Sequence, residues 1–281
     1  MTPAVSPWLE AVFRWTHVLA GIIWIGATYL FDLVNAQVRQ VAAAGKGTVP
    51  PFVPRALSWF RWAAAGAWVS GILLLGLVYY RADDLVRREV RLVTQHGLTV
   101  DFTRATNEPV INHGMGMIVS LAAIVMACLA YEAVLKVLGQ HERSAAAASF
   151  VLFVLALALL SRVFTGRAVF IHAGVLLGSI MAMNVWMHIW PAQRRLMQGV
   201  NGRVPAPGAV VALRAEHNVY MSAPLTFAMI SNHYPTIYDR EDSWTIMALL
   251  VLVAWAMTRL CCGKARARHP LAGAPRSSTG A

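Results

Sequence analysis

Seven apolar runs, each long enough to cross a bilayer, constrain this chain more than any other feature. A membrane-spanning helix needs about 20 mostly apolar residues. The stretches near residues 9–33, 57–80, 111–135, 145–164, 168–190, 215–233 and 243–260 meet that length. Only 13% of the 281 residues are charged, against about 25% in soluble domains. So few charges cannot cover the surface of a dissolved monomer of this size. A soluble globular enzyme and a disordered chain are thereby excluded. The fold class is all-α, a polytopic transmembrane helical bundle with about seven spans in a lipid bilayer. The sixth run is the least regular, because its apolar core, 219–231, is short and holds Pro224. A kinked span is expected there, since neighbouring helices can satisfy the carbonyl that a proline frees. The membrane domain covers 1–262, and the Gly/Pro/Arg/Ser-rich segment 263–281 reads as a basic disordered tail.

The net charge of +11 belongs to the loops rather than to nucleic-acid binding. One set of linkers carries Arg39, Lys46, Arg55, Lys136, Arg143, Arg194, Arg195, Arg203 and Arg214, and the tail adds Lys264, Arg266, Arg268 and Arg276. The other set carries fewer basic residues and shares them with acids, as in the loop 81–110. The richer side is cytoplasmic. The N-terminus is therefore expected outside and the C-terminus inside, in a multi-pass inner (cell) membrane of bacterial type. No basic leader with a small-residue cleavage site precedes the first run, which is expected to be retained. The three cysteines, Cys128, Cys261 and Cys262, form neither CxxC nor CxxCH. A disulfide framework, a zinc site and a covalently attached haem are not expected within this chain.

Ionisable residues at membrane depth are costly and point to function. Six of the nine histidines fall in spans. With the orientation above, His17, His113, His172 and His233 form an outer layer, and His188 and His217 an inner one. The 16 residues from His172 to His188 amount to about 24 Å of helix. Outer histidines on four helices are candidates to bind haem b, whose iron takes neutral imidazole as an axial ligand. Of these, His17, His172 and His233 are the leading iron ligands. Zinc or copper accepts the same nitrogens, and each histidine alone can equally serve as an interhelical hydrogen bonder. Glu10, Arg14, His17, Gly21 and Trp24 lie along one face of the first helix. A glycine one turn from a histidine leaves room for a flat macrocycle or for a neighbouring backbone. Arg162 and Arg167 flank the entry to the fifth span, where they suit haem propionates or an anionic substrate.

Three blocks resemble a known family. The run from His17 through Trp24 to Gly26 is similar to the first helix of the membrane-bound urate oxidases (urate hydroxylases) of the PuuD type. A related first helix occurs in copper-resistance and protoporphyrinogen-oxidase-like membrane proteins that bind haem. The stretch from Gly166 to His172, continuing to Asn184 and to Pro191–Arg195, resembles the family's central signature, as do His217-Asn218-Val219-Tyr220 and Ser231-Asn232-His233-Tyr234-Pro235. The likeness covers about residues 8–260. It implies oxidation of urate to 5-hydroxyisourate by a membrane-bound, haem-dependent enzyme of purine catabolism. It further implies electron transfer to a c-type cytochrome, which typical members carry after one more C-terminal helix. The sequence in hand has no eighth span and no CxxCH, so a separate c-type cytochrome or a quinone is the expected acceptor. Candidate urate contacts are Arg162, Arg167, Asn184, His217, Asn218 and Asn232, since urate is a planar anion rich in hydrogen-bonding edges.

Two other readings remain open at this level: a haem-binding electron-transfer protein with another substrate, such as a quinol or porphyrin, and a non-enzymatic transporter. Transporters tend to show broken helices in corresponding halves, and only the sixth span is interrupted by proline in this way. The orientation has a direct check. Reporter fusions at Gly202 and at the C-terminus should both read cytoplasmic, and a periplasmic signal at either reverses the two histidine layers.

Overall fold

The chain is described by a computed structural model over residues 7–43, 53–81, 85–96, 101–198, 209–240 and 242–267. Helix α1 (Pro7–Ala43) leads to α2 (Val53–Leu74), which a π-helical turn, Leu75–Tyr79, continues. An antiparallel hairpin follows, β1 (Arg88–His96) with β2 (Asp101–Pro109), registered from Arg88 opposite Pro109 to His96 opposite Asp101. Then come α3 (His113–Leu138), α4 (Glu142–Leu160) and α5 (Gly166–Met183). A second π-helical turn, Asn184–Ile189, carries α5 into α6 (Trp190–Gln198). Helices α7 (Ala209–Ser231), α8 (Pro235–Tyr238) and α9 (Ser243–Ala267) complete the described chain.

Six segments among the described residues are long and apolar enough to cross a membrane: Pro7–Asp32, Arg55–Tyr79, His113–Leu138, Glu142–Leu160, Gly166–Arg195 and Ser243–Leu260. The kinked seventh, α7, has 23 residues, about 34 Å at 1.5 Å per residue. It is not apolar enough to qualify because Arg214, Glu216, His217 and Asn218 occupy its first half. Helix α7 packs against α5, α9 and α1, so its polar residues face protein.

Three sequence-level expectations change. The loop 81–110 holds a β-hairpin, whose strands include the β-favouring Val90, Val93, Thr94, Phe102, Thr103 and Thr106. Helix α9 runs through Ala267, so residues 263–267 of the expected tail are helical; Lys-Ala-Arg-Ala favours helix and the first proline comes only at Pro270. The rest of that tail, 268–281, lies outside the described residues. Arg214 is not a loop cation: it sits within α7 and is only 3% exposed.

Helix α5 is the central element. Its span is 89% buried, against 11% for the first span. Two caps set the hairpin end of the bundle: Asn112 accepts the Met115 N–H at 2.8 Å to start α3, and Thr165 accepts the Ala168 N–H to start α5. The segment before the hairpin is stapled to the α4–α5 turn by Arg87 N–H to the Val163 carbonyl and Thr165 N–H to the Leu85 carbonyl. Large apolar side chains such as Ile118, Val125, Leu155, Leu249 and Val253 stay exposed around the bundle, as a hydrocarbon-facing surface requires. Gly166 opens α5 with the Tyr238 carbonyl oxygen where its Cβ would stand. Gly166→Ala should cost about 1–3 kcal/mol through overpacking, read as a lower unfolding temperature in detergent; an unchanged transition would show that α8 can retreat from α5.

Candidate functional site: two intramembrane cavities

Two cavities flank α5 and α7. The first, about 510 Å³, lies between α1, α2, α5 and α7 in the half of the bundle nearer the hairpin. His17, Trp24, Trp68 and Met229 line it together with Gly21, Gly71, Gly174 and Gly178. No atom stands within 4 Å of where a Gly21 Cβ would be, whereas Gly71 lies against the His17 ring and Gly174 against Met229. His17 Nδ1 is 2.9 Å from the Ala67 carbonyl and 3.2 Å from Ser70 Oγ. A carbonyl only accepts, so Nδ1 carries the hydrogen and Nε2 keeps a lone pair. Trp24 Nε1 is buried without a partner among the described residues.

The other outer histidines are elsewhere. His172 is fully buried, and both ring nitrogens are engaged: Nδ1–H donates to the Ala168 carbonyl at 2.6 Å, and Nε2 accepts from Ser120 Oγ at 2.5 Å. Its ring stacks on Phe164, with centroids 4.7 Å apart. Ser120 Oγ also lies 2.6 Å from the Tyr80 hydroxyl, and His113 Nε2–H donates to the Tyr80 carbonyl at 2.7 Å. His113 and His172 thus share one structural tether. His233 is exposed just beyond α7. None of these three lines the His17 cavity, and no group of three or more His, Cys, Asp or Glu side chains among the described residues could hold a metal ion.

The candidate substrate residues divide between the two ends. At the hairpin end, Asn232 Oδ1 accepts from Arg167 Nε at 2.6 Å and from the Tyr79 hydroxyl at 2.9 Å. The Arg167 guanidinium also stands over the Tyr79 ring. Arg162 is exposed on the α4–α5 turn. In the opposite half, Asn184, His217 and Asn218 join three side chains that sequence reading had not assigned to a site: Tyr131, Glu132 and Arg214. Arg214 grips Glu132 through both oxygens at 2.7 and 2.8 Å, and donates to Asn184 Oδ1 at 2.8 Å. Asn184 Nδ2 donates to the Tyr131 oxygen at 3.1 Å and to Asn218 Oδ1 at 2.9 Å. Asn218 Nδ2 donates to the Met181 carbonyl, just before the π-helical turn. His188 Nε2–H reaches Glu132 at 3.0 Å.

The chain of donors has a direction. The Tyr131 oxygen accepts from Asn184, so its own hydrogen points to His217 Nδ1, 3.0 Å away. His217 Nε2 then carries the ring hydrogen. His217 and Tyr131 line the second cavity, about 640 Å³, between α4, α7 and α9.

A family model described as urate oxidase N-terminal matches residues 46–271. The chain belongs to the urate oxidase N-terminal family. No curated protein and no solved structure matches it at a significant level. The matched stretch holds α2 to α9 and every residue of the Arg214 network. Family membership gives this membrane protein a urate-related oxidase role. In this family member, Glu132 and Arg214 had signals of their own: an acid within the last turn of the third apolar run, and an arginine at the start of its sixth. A charge at such depth calls for a partner.

Removing one member of that pair leaves the other buried and uncompensated, at about 3–5 kcal/mol. Glu132→Gln should therefore lower the thermal stability of the detergent-solubilised protein sharply. Glu132→Gln combined with Arg214→Met should recover much of the loss. Equal destabilisation by the single and the double variant would show that the pair is not coupled.

Proposed function

We propose that the chain is a membrane-bound, haem-dependent oxidoreductase that oxidises urate to 5-hydroxyisourate and passes the electrons to a separate carrier. Family membership supports the substrate. His17 stands ahead of the matched stretch, so the haem assignment rests on the His17 cavity. That cavity has apolar walls, four lining glycines and one imidazole nitrogen whose lone pair is free because a backbone carbonyl holds the other nitrogen. A hydrogen bond of this kind from the far ring nitrogen is how metal-ligating histidines are oriented. These residues fit haem b. When bound, haem accepts electrons one at a time and so links a two-electron donor to a one-electron chain.

The chain's own residues then have distinct tasks. His17 Nε2 would hold the iron, and Met229, whose thioether is at the same cavity, would be a second residue able to ligate it. Arg167 lies seven residues, about 10 Å, along α5 from Gly174, where its charge can meet propionates. Asn232 receives both its neighbours on Oδ1, which leaves its Nδ2–H groups to donate to a urate oxygen. Exposed Arg162 draws the urate anion to the same end. Asn184 and Asn218 spend their hydrogen bonds inside the Arg214 network and act as positioning residues.

His17→Ala should remove or strongly shift the Soret band of the purified protein, and an unchanged spectrum with full haem content would reject His17 as a ligand. Asn232→Ala should raise the KM for urate about tenfold, the worth of one hydrogen bond, with the Soret band unmoved.

A further inference from the structure

Three residues lining the 640 Å³ cavity each hold a buried polar atom without a partner among the described residues: Ser149 Oγ, His217 Nε2 and Trp255 Nε1. An indole nitrogen only donates, a serine hydroxyl can donate, and His217 Nε2 carries its hydrogen because the Tyr131 hydroxyl fills Nδ1. Unpaired buried donors are costly, so the cavity calls for a ligand that accepts. The walls between them are apolar and aromatic, with Phe150, Phe153 and Leu177 among them. Leu252 lines the cavity and is itself 44% exposed on the lipid-facing surface of α9. The cavity thus borders the hydrocarbon between α4 and α9, while exposed Arg143 and Arg259 mark its end at the bundle terminus.

We propose that this cavity binds the head of a membrane quinone, whose ring carbonyls accept hydrogen bonds from His217, Trp255 and Ser149. Its volume lies within the range of small-molecule sites, about 300–1,000 Å³, and its border on the lipid face gives a lipid-soluble ligand a way in. Urate suits it less. Urate brings three N–H groups that need acceptors, and the only carboxylates among the lining residues, Glu142 and Glu216, are more exposed than His217. The quinone site makes the quinone the terminal acceptor, a role that rests on the urate-oxidising function proposed above. Urate and water give 5-hydroxyisourate, two electrons and two protons. The quinone takes two electrons and two protons, and its two C=O groups become C–OH. His217 holds one quinone oxygen through its Nε2–H hydrogen bond, and water at the Arg143–Arg259 end supplies both protons. The two cavities are separated by α5 and α7 alone: Leu177 and Met221 face one, Gly178 and Leu225 the other.

The test uses the full chain in lipid nanodiscs with decyl-ubiquinone as the probe, binding followed by equilibrium dialysis. Ser149→Ala and Trp255→Phe should each weaken binding about five- to tenfold without moving the Soret band. His17→Ala should lose that band and keep its quinone affinity. Excess urate should leave bound quinone in place. The proposal is overturned if the quinone does not bind, if both cavity variants bind it as the unaltered protein does, or if urate displaces it competitively. It is overturned too if urate reduces the protein and a soluble c-type cytochrome reoxidises it while the quinone does not; the urate function then stands alone. If quinone binding depends on Ser149 and Trp255 but urate never reduces the protein, the site stands and the urate function falls.

Discussion

The grip of Arg214 on Glu132 organises one half of this bundle. A guanidinium held in a membrane interior needs both a counter-charge and a full set of acceptors. Glu132 on α3 supplies the charge, and Asn184 at the end of α5 supplies a further oxygen. Three helices are thereby tied at one point. The consequences spread outward along hydrogen bonds. Asn184 is turned so that its amide faces Tyr131 and Asn218, Tyr131 is turned toward His217, and the tautomer of His217 follows. The π-helical turn begins at Asn184 itself, where an inserted residue widens the helix, a feature that recurs at functional sites.

The two cavities differ in the hydrogen-bond sense of their histidines. A backbone carbonyl holds His17 Nδ1–H and leaves a lone pair on Nε2. A tyrosine hydroxyl fills His217 Nδ1 and leaves a hydrogen on Nε2. One ring is prepared to ligate and the other to donate, though the side chains are chemically identical. Only α5 and α7 lie between them. The glycines of α5 serve the same division, because Gly174 and Gly178 thin the helix on the His17 side.

The hairpin end is held by different means. Tyr80 receives His113 on its carbonyl and meets Ser120 with its hydroxyl, and Ser120 in turn reaches His172. This chain ties the end of α2 to α3 and α5. At the opposite end Arg61, within α2, is packed among the indoles of Trp62, Trp186 and Trp190 at 4.1–4.9 Å, a cation–π cage that fastens α2 to the π-helical turn and the start of α6.

Much of the architecture was legible in the chain. Hydrocarbon imposes a length and a polarity on every span, and these are one-dimensional properties, so the apolar runs mark the bilayer-crossing segments to within a few residues, while α1 and α9 run on to Ala43 and Ala267. The depth of each histidine follows from counting residues along its helix. Direction does not: His17 and His172 stand at comparable depth, yet one lines a cavity and the other is stacked on Phe164 with both nitrogens filled. Arg214 reads as a loop cation because it borders an apolar run, and only Glu132 and Asn184, 82 and 30 residues away, make it an interior residue. The hairpin was hidden within a charged loop. Composition and periodicity thus settle the class of the protein, the number of bilayer-length helices and the depth of its polar groups. Which of those groups meet, and which imidazole nitrogen is left to act, is set by contacts between residues far apart in the chain, since the bilayer constrains how deep a side chain lies and leaves its partner to the packing of the helices.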